Sequence, residues 1–534
     1  MISVAALSLP VALRKQAAPG PMLYVSIFVE LLRARPVLMI WGAALLQAAV
    51  WTLVPTLFYL APPGELPTVL AVGHELQLGT DFGPPLAFWL AEVAYIMTGG
   101  HLFGVYLLSQ ICVVITYWAV FALGRSTVGV HHAALAVLMM IGIAVFTFPT
   151  PEFGPAILAM PLWAIILLHC WRALGEQRRG YWLALAAEIG LLLLTTYSGL
   201  LLLGLIALFT IANRRARATL GTIDPWLALI VVIIVMFPHL LWLTETGGGL
   251  LILHGLANPD SIVSNLTVWL RQLIYIIAVY AGLLILLTVV SGRWGRHDPA
   301  PVIARLPVDI FARQYVYFFA IAPILAATFV ALVLGWSAPI AALAPLVLLS
   351  GLAIVIASGD DIELKHQHVL IAAWFGVLFV PPAVAVLALA VLPWIGVDLN
   401  VNLPANAMAS FFGDNYQRRV GTPLPIVAGG PRIAALVALG SSRPSLLLDA
   451  TPQRSPWVTM NDIKVKGGIV VWPTTDTAGA PPADIKERFP DLVPELPRAF
   501  DRGVQGQLPL LRIGWGMIRP QSQPIERQPP AGAR

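Results

Sequence analysis

The chain has 534 residues, 58% of them hydrophobic and 11% charged, with a formal net charge of +5. A mean hydropathy of +0.82 excludes an ordinary water-soluble domain, whose surface needs more charge, and leaves a polytopic α-helical membrane protein. The basic residues sit at the edges of apolar runs rather than on one face, which argues against a nucleic-acid partner.

Taken in chain order, residues 1–36 mix Arg14, Lys15 and prolines with a short apolar start. No small-residue cleavage site follows an apolar core, so a cytoplasmic N-terminal segment is expected rather than a signal peptide. Apolar windows follow at 37–60, 103–123, 131–148, 154–171, 181–197, 199–212, 226–243, 270–291, 316–335, 338–357 and 369–394. They predict about eleven membrane spans within a transmembrane domain 37–394. Cys112 and Cys170 lie inside apolar runs and read as small buried hydrophobes.

Every second loop is basic: Arg33 and Arg35, Arg125, Arg172 with Arg178 and Arg179, Arg214 with Arg215 and Arg217, Arg293 with Arg296, Arg305 and Arg313, and Lys365. The alternate loops near 61–102, 149–153, 244–269 and 336–337 contain no Lys or Arg. By the positive-inside rule the N-terminus is cytoplasmic, and an odd number of spans places residues 395–534 outside. That tail has more charge and a strand–helix alternation. Pro425–Ala428, Ser445–Asp449 and Ile469–Trp472 read as strands, Arg432–Leu439 as a helix, and Thr459 with Asp462 as a helix start. A small periplasmic α/β domain is expected over 395–520, with a disordered Pro- and Gln-rich tail at 521–534.

The outer loop 61–102 carries the most information. Pro62, Pro63 and Gly64 end the first span, Leu66 to Leu78 suggest an amphipathic helix lying in the interface, and Asp81 to Pro85 form a turn. A loop this long is usually built for a purpose. Glu65, Asp81 and Glu152 are the carboxylates that could meet at the outer membrane face. A half-buried carboxylate there suits a general base acting on an acceptor hydroxyl, although solvated loop charges have the same composition.

This loop resembles the first periplasmic loop of glycosyltransferase family 39, which has the GT-C fold and includes the aminoarabinose transferases of lipid A and the protein O-mannosyltransferases. Gly79 and Pro84-Pro85-Leu86 match the family's turn, and Glu65 falls at its catalytic aspartate. Pro151-Glu152-Phe153-Gly154-Pro155 resembles the third-span exit, and Leu194 to Gly199 the Ser-Lys-Tyr-Thr segment. Asp224-Pro225-Trp226 and Phe237 to Trp242 resemble the bounds of the next span. Ala428-Gly429-Gly430, Arg443-Pro444-Ser445 and Ser455-Pro456-Trp457 look like the tail domain of some bacterial members. The sequence departs from the pattern in three places. Glutamate replaces aspartate at 65, Phe82 and Gly83 stand where the turn has an acid and a histidine, and Thr196 stands where the family has lysine.

The resemblance implies a bacterial inner-membrane glycosyltransferase. The donor would be a polyprenyl-phosphate sugar, the acceptor a periplasmic lipid or glycan hydroxyl, and the transfer inverting. Glu65 and Asp81 are the catalytic candidates, and Glu152, His74, Tyr197, His254 and Arg271 the substrate-binding ones. No metal ligands are assigned, and a divalent cation stays open as a cofactor. His366 and His368 beside Asp360, Asp361 and Glu363 read more readily as a solvated cytoplasmic loop. Glu188 is an intramembrane acid without an assigned partner, and His239 reads as a local hydrogen-bonding group. Membrane lipid is the expected partner and a monomer the expected state. The rival readings are an inactive lipid-binding or scaffolding relative and a transporter or flippase. The topology has a direct test: a reporter active only in the cytoplasm, fused after Arg534, is expected to be silent, and an active fusion overturns the orientation.

Overall fold

The computed structural model describes residues 28, 30–245, 262–290, 302–336, 338–363, 367–451, 454–475 and 477–521. His254, Lys365, His366, Arg293, Arg296 and residues 522–534 of the expected disordered tail lie outside the described residues.

Helix α1 (Pro36–Phe58) starts on a proline, whose missing N–H is no loss in a first turn. After it the chain runs through Tyr59–Gly64, and the N–H groups of Leu60 and Ala61 both donate to the Val401 carbonyl, at 2.9 and 3.1 Å. Helix α2 (Leu66–His74) follows, then α3 (Leu86–Met97), α4 (Phe103–Thr127) and α5 (Val130–Met140). A connecting segment containing the short 3₁₀ turn Ala144–Phe146 leads to α6 (Pro155–Leu174), α7 (Tyr181–Leu193), α8 (Gly199–Ala212) and α9 (Asp224–Glu245). Helices α10 (Ile262–Val279) and α11 (Ala281–Val290) precede strand β1 (Val302–Ala304) and α12 (Ile310–Leu334). A 3₁₀ stretch, Ile340–Val347, runs into α13 (Ser350–Ala357); then come β2 (Asp361–Glu363), antiparallel to β1, and α14 (Gln367–Val391).

Each expected span window contains helix, but the lengths divide them. Among the described residues, six helices are long and apolar enough to cross a membrane, and up to nine spans result if each bent pair counts as one. The bent pairs are α8 with the basic turn after it (96°), α10 with α11 (46°), and Ile340–Val347 with α13 (43°). The windows at 131–148 and 181–197 hold helices of 11 and 13 residues, shorter than the roughly 20 that a perpendicular crossing takes. The apolar run after Met140 is a turn-rich segment instead, and it is this segment that carries Glu152.

The C-terminal part contains α15 (Ala405–Val420), β3 (Ile426–Gly429), α16 (Pro431–Ala438), β4 (Ser445–Leu448), α17 (Met460–Lys466), β5 (Gly468–Thr474), α18 (Ala483–Arg488), β6 (Pro494–Phe500) and β7 (Leu511–Ile518). Thr459 and Asp462 form a reciprocal capping box at the start of α17. The five strands form one sheet in the order β4-β3-β5-β7-β6, with β3 parallel to β4 and β5, and β7 antiparallel to β5 and β6. Side chains alternate faces along a strand. Ile426 and Ala428 pack with Leu447, Val470, Trp472 and Ile485 in one cluster, while Val427, Leu446, Ile469 and Val471 join the core that runs into the helical bundle.

Helix α2 is where that continuity matters. An interfacial helix keeps one face wet, yet every residue from Leu66 to Gly73 is buried. It packs between α3 and α16. Gly73 has no side chain because a Cβ there would stand 2.4 Å from the Phe88 carbonyl oxygen. Polar groups close the same contact. Glu92 on α3, whose side chain is only 4% exposed, accepts from Arg443 and bonds His74 Nδ1 at 3.0 Å. Arg443 also donates to the Leu70 carbonyl at 3.2 Å and lies 4.9 Å over the Tyr95 ring. Glu75, just past the end of α2, is half-buried; it bonds Ser445, and desolvation raises its carboxyl above the ordinary range.

Removing one member of a buried ion pair strands the other. Arg443→Met is expected to lower stability by about 3 kcal/mol, read as a loss in the thermal or denaturant midpoint of the full-length protein. Adding Glu92→Leu is expected to recover most of that loss. Wild-type stability in the single variant refutes the role given to this pair.

Candidate active site

Gly64 has φ +53°, a conformation that disfavours side chains, and it turns the chain from the α1 exit into α2. It also makes room: a Cβ on Gly64 would sit 1.9 Å from Glu152 Oε1. With glycine there, Glu152 reaches across the turn and accepts from the Glu65 N–H at 2.9 Å. That N–H is one of the unpaired donors at the start of α2, for which Glu65 is the N-cap. The segment bearing Glu152 is anchored from beneath. Gln110 donates to Thr150 at 2.9 Å, Gln47 donates to the Phe146 carbonyl, and the Tyr117 hydroxyl donates to Gln47 at 3.0 Å.

Glu65 and Glu152 line one cavity of about 690 Å³. Its walls include Tyr59, Phe148, Tyr275 and Asn400. Glu65 is exposed to this space, whereas Glu152 is half-buried. Burial raises the Glu152 carboxyl above its ordinary value, the Glu65 N–H opposes that, and the charge of Glu65 adds to it. Two neighbouring carboxylates with different environments can divide the roles of proton acceptor and proton holder. Among the described residues, no Lys or Arg lines this cavity. Arg271 stands four residues before Tyr275 on α10, on the same side of the helix.

The other expected site residues lie elsewhere. Asp81 sits in the tight turn closed by Thr80 and Gly83, whose backbones exchange bonds of 3.0 and 3.1 Å. Among the described residues it shares neither a hydrogen bond nor the cavity with Glu65. Burial raises its carboxyl, and Arg454 pulls it back. Arg454 pairs with Asp449 and lies 5.4 Å over the Phe82 ring, so the phenylalanine at the turn is a platform for a cation from the sheet region.

His74 belongs to the Glu92–Arg443 contact. The Tyr197 hydroxyl bonds His239 Nε2 at 2.9 Å, and His239 Nδ1 bonds the Leu78 carbonyl at 2.8 Å. A carbonyl only accepts, so Nδ1 carries a proton toward Leu78, and the Tyr197 hydroxyl meets the other ring nitrogen. His239 also stacks on Trp242, whose ring fills the space beside Gly79. These residues dock the outer loop on α9. The Leu86 N–H to Leu194 carbonyl bond, 2.9 Å, does the same at α7. Glu188 has a partner the sequence did not name, His169 Nδ1 at 2.7 Å.

Among the described residues, no group of three or more His, Cys, Asp or Glu could hold a metal. Asp360 pairs with Arg305. Sequence reasoning missed Tyr59, Tyr275 and Asn400 as cavity walls. The small residue directly before Glu65 was the available sign of a close approach at that point.

Because Glu152 is raised above the 4.5 of an ordinary glutamate, its contribution to stability is full below that value. It is lost as pH rises through the folded-state pKa. Glu152→Gln is therefore expected to gain in thermal midpoint over wild type as pH is taken from about 4 to 8. A gap that stays constant or runs the other way contradicts this electrostatic reading.

The comparisons with known proteins agree with this architecture. Residues 83–242 match the profile of the dolichyl-phosphate-mannose-protein mannosyltransferase family. That stretch begins at Gly83 of the turn and ends at Trp242, and it includes Glu152, Tyr197 and His239 but not Glu65. Among solved structures, ArnT from Cupriavidus metallidurans bound to undecaprenyl phosphate aligns with a TM-score of 0.58 at 12% identity, covering 91% of this chain and 99% of that one. Its apo form gives 0.57 with the same identity and coverage. The Archaeoglobus fulgidus oligosaccharyltransferase aligns more loosely, with a TM-score of 0.42 at 12% identity over 82% of this chain and 69% of that one. No curated protein gives a significant sequence match. The resemblance to glycosyltransferase family 39 therefore holds, carried in sequence by residues 83–242 and in fold by the GT-C architecture of nearly the whole chain.

Proposed function

We propose that this chain is a glycosyltransferase of the bacterial inner membrane that moves a sugar from a polyprenyl-phosphate donor to a hydroxyl of a lipid or glycan at the periplasmic face. The observation that carries the reading is the pair Glu65–Glu152 at the wall of a large cavity, in a chain with this family resemblance and fold. The undecaprenyl phosphate bound to ArnT supports a lipid-linked donor.

In the proposed reaction the acceptor oxygen attacks the anomeric carbon, the bond from that carbon to the phosphate oxygen breaks, and the configuration inverts. Glu65 takes the proton of the acceptor hydroxyl. Polyprenyl phosphate leaves with the bonding electrons, so no nucleotide site is required. Glu152 stays close enough to keep Glu65 in place through its backbone N–H, and burial holds its own carboxyl above the ordinary range. Arg271, one turn from Tyr275, is the cation we assign to the donor phosphate. Asp81 acts at a distance by fixing the turn against Arg454 rather than by touching substrate. The rival reading, a lipid-binding relative without transfer activity, draws on the lack of Lys or Arg among the described cavity walls.

Transfer of labelled sugar from membrane lipid to acceptor separates the two readings. Glu65→Gln keeps size and most hydrogen bonding but cannot accept the proton; it is expected to slow transfer by about 10²–10⁴ with normal membrane insertion. Glu487→Gln, on an exposed surface, is expected to transfer normally. Wild-type transfer by Glu65→Gln removes Glu65 as the base.

A further inference from the structure

A second large cavity, of about 870 Å³, opens on the other side of the linker that ends in Glu65. It is bounded by the end of α1, the corner between α3 and α4, α15, and the end of α16. Tyr59 lines both cavities, with Pro63 and Gly64 facing the first and Leu60 and Pro62 the second. The Tyr59–Gly64 linker is thus a partition, and the proposed base stands at its end.

The chemistry of this second space is distinctive. Among its described walls there is no Asp, Glu, Lys or Arg; its polar groups include Thr56, Tyr95, Thr98, Tyr106, Asn406 and Ser410, with one imidazole, His101. The Arg443 guanidinium over the Tyr95 ring is already committed to Glu92. Tyr106 gives the independent sign of a ligand. It is 1% exposed, it lines the cavity, and its hydroxyl has no hydrogen-bond partner among the described residues. Burying an unpaired hydroxyl is unfavourable, and phenylalanine would fill the same space without that cost.

We propose that this cavity is the acceptor pocket and that it takes an uncharged polyhydroxylated group, a neutral sugar or polyol, rather than a phosphorylated one. Phenol, hydroxyl and amide groups can both donate and accept, as a sugar hydroxyl requires, and the aromatic faces suit the C–H face of a sugar ring. A phosphate in the same place would be buried without a counter-charge. The flank is apolar: Ile96, Met97 and Phe103 are 63%, 80% and 40% exposed. An amphiphile could therefore keep its tail in the bilayer while one hydroxyl passes Tyr59 toward Glu65. The acceptor role rests on the transferase reading above; the binding specificity does not.

The test uses the full-length protein in phosphatidylcholine nanodiscs, titrated with maltose, with octyl β-glucoside below its micellar concentration, and with dihexanoylphosphatidic acid. Saturable binding of maltose, octyl glucoside or both is expected, with none of the phosphatidic acid. Binding of maltose assigns a free source, and binding of octyl glucoside alone a lipid-borne one. Tyr106→Phe is expected to weaken sugar binding about tenfold while its ligand-free thermal midpoint equals or exceeds that of wild type. Asn406→Ala, on the α15 wall, is expected to weaken it as well. Unchanged sugar binding in both variants, or binding of phosphatidic acid alone, overturns the proposal. Glu65→Gln separates the two ideas, because it should bind sugar like wild type and fail only in transfer. A wild-type protein that binds the sugars and transfers nothing sinks the transferase reading and spares the pocket, whereas transfer without sugar binding sinks the pocket.

Discussion

Everything at the candidate site depends on one carboxylate being brought over a residue without a side chain. Glu152 meets the Glu65 N–H only because Gly64 leaves its path open. It stays there because the turn-rich segment before α6 is held by Gln110 and Gln47. Bringing a second acid beside Glu65 is unfavourable in itself, since burial and like charge both oppose ionisation. The backbone donor at the head of α2 offsets part of that. A helix start, a glycine and a buried amide pair thereby determine how two acids are spaced and which of them meets the solvent of the cavity.

The outer loop is fixed at both ends and along its middle. Its beginning is tied to Val401, its middle to His239 and Trp242, its second helix to Leu194, and its buried face to α16. The loop is thus a packed layer between the bundle and the sheet. A layer with so many attachments can place a carboxylate reproducibly, which reaction geometry requires.

Much of this was legible in the sequence, and the failures are instructive. Apolar windows located the helices because burial in lipid and burial in protein demand the same composition. For that reason they could not distinguish a full crossing from the 11-residue α5. The motifs around Pro84-Pro85, Glu152, Tyr197 and His239 marked residues that the fold does bring to the outer loop, though several serve to hold it. Helix α2 looked interfacial because its partner, α16, lies more than three hundred positions away, beyond the reach of any local pattern. Phe82 looked like a lost acid until Arg454 gave it a role as a platform. The strands β6 and β7 escaped notice for opposite reasons. In β6, Pro494 and Pro497 break the pattern at a sheet edge, where proline is tolerated. In β7, Gly514 and Gly516 interrupt the apolar run because the Trp472 ring and Leu492 occupy the space a side chain would need.

The burial of α2 has a consequence for how the chain is made. Translation delivers Leu66–Gly73 early, while the α16 surface that covers it, Ile433–Ala438, arrives only after the last long apolar helix has been synthesised. Until then an almost wholly apolar helix has no protein lid. The bilayer surface is the natural place for it to wait, because the headgroup boundary accepts apolar side chains that water does not. The α2–α16 contact and the Glu92–Arg443 pair can form only once that later part of the chain is present. A chain truncated before α16 therefore lacks both the cover over α2 and the Arg443 partner of Glu92.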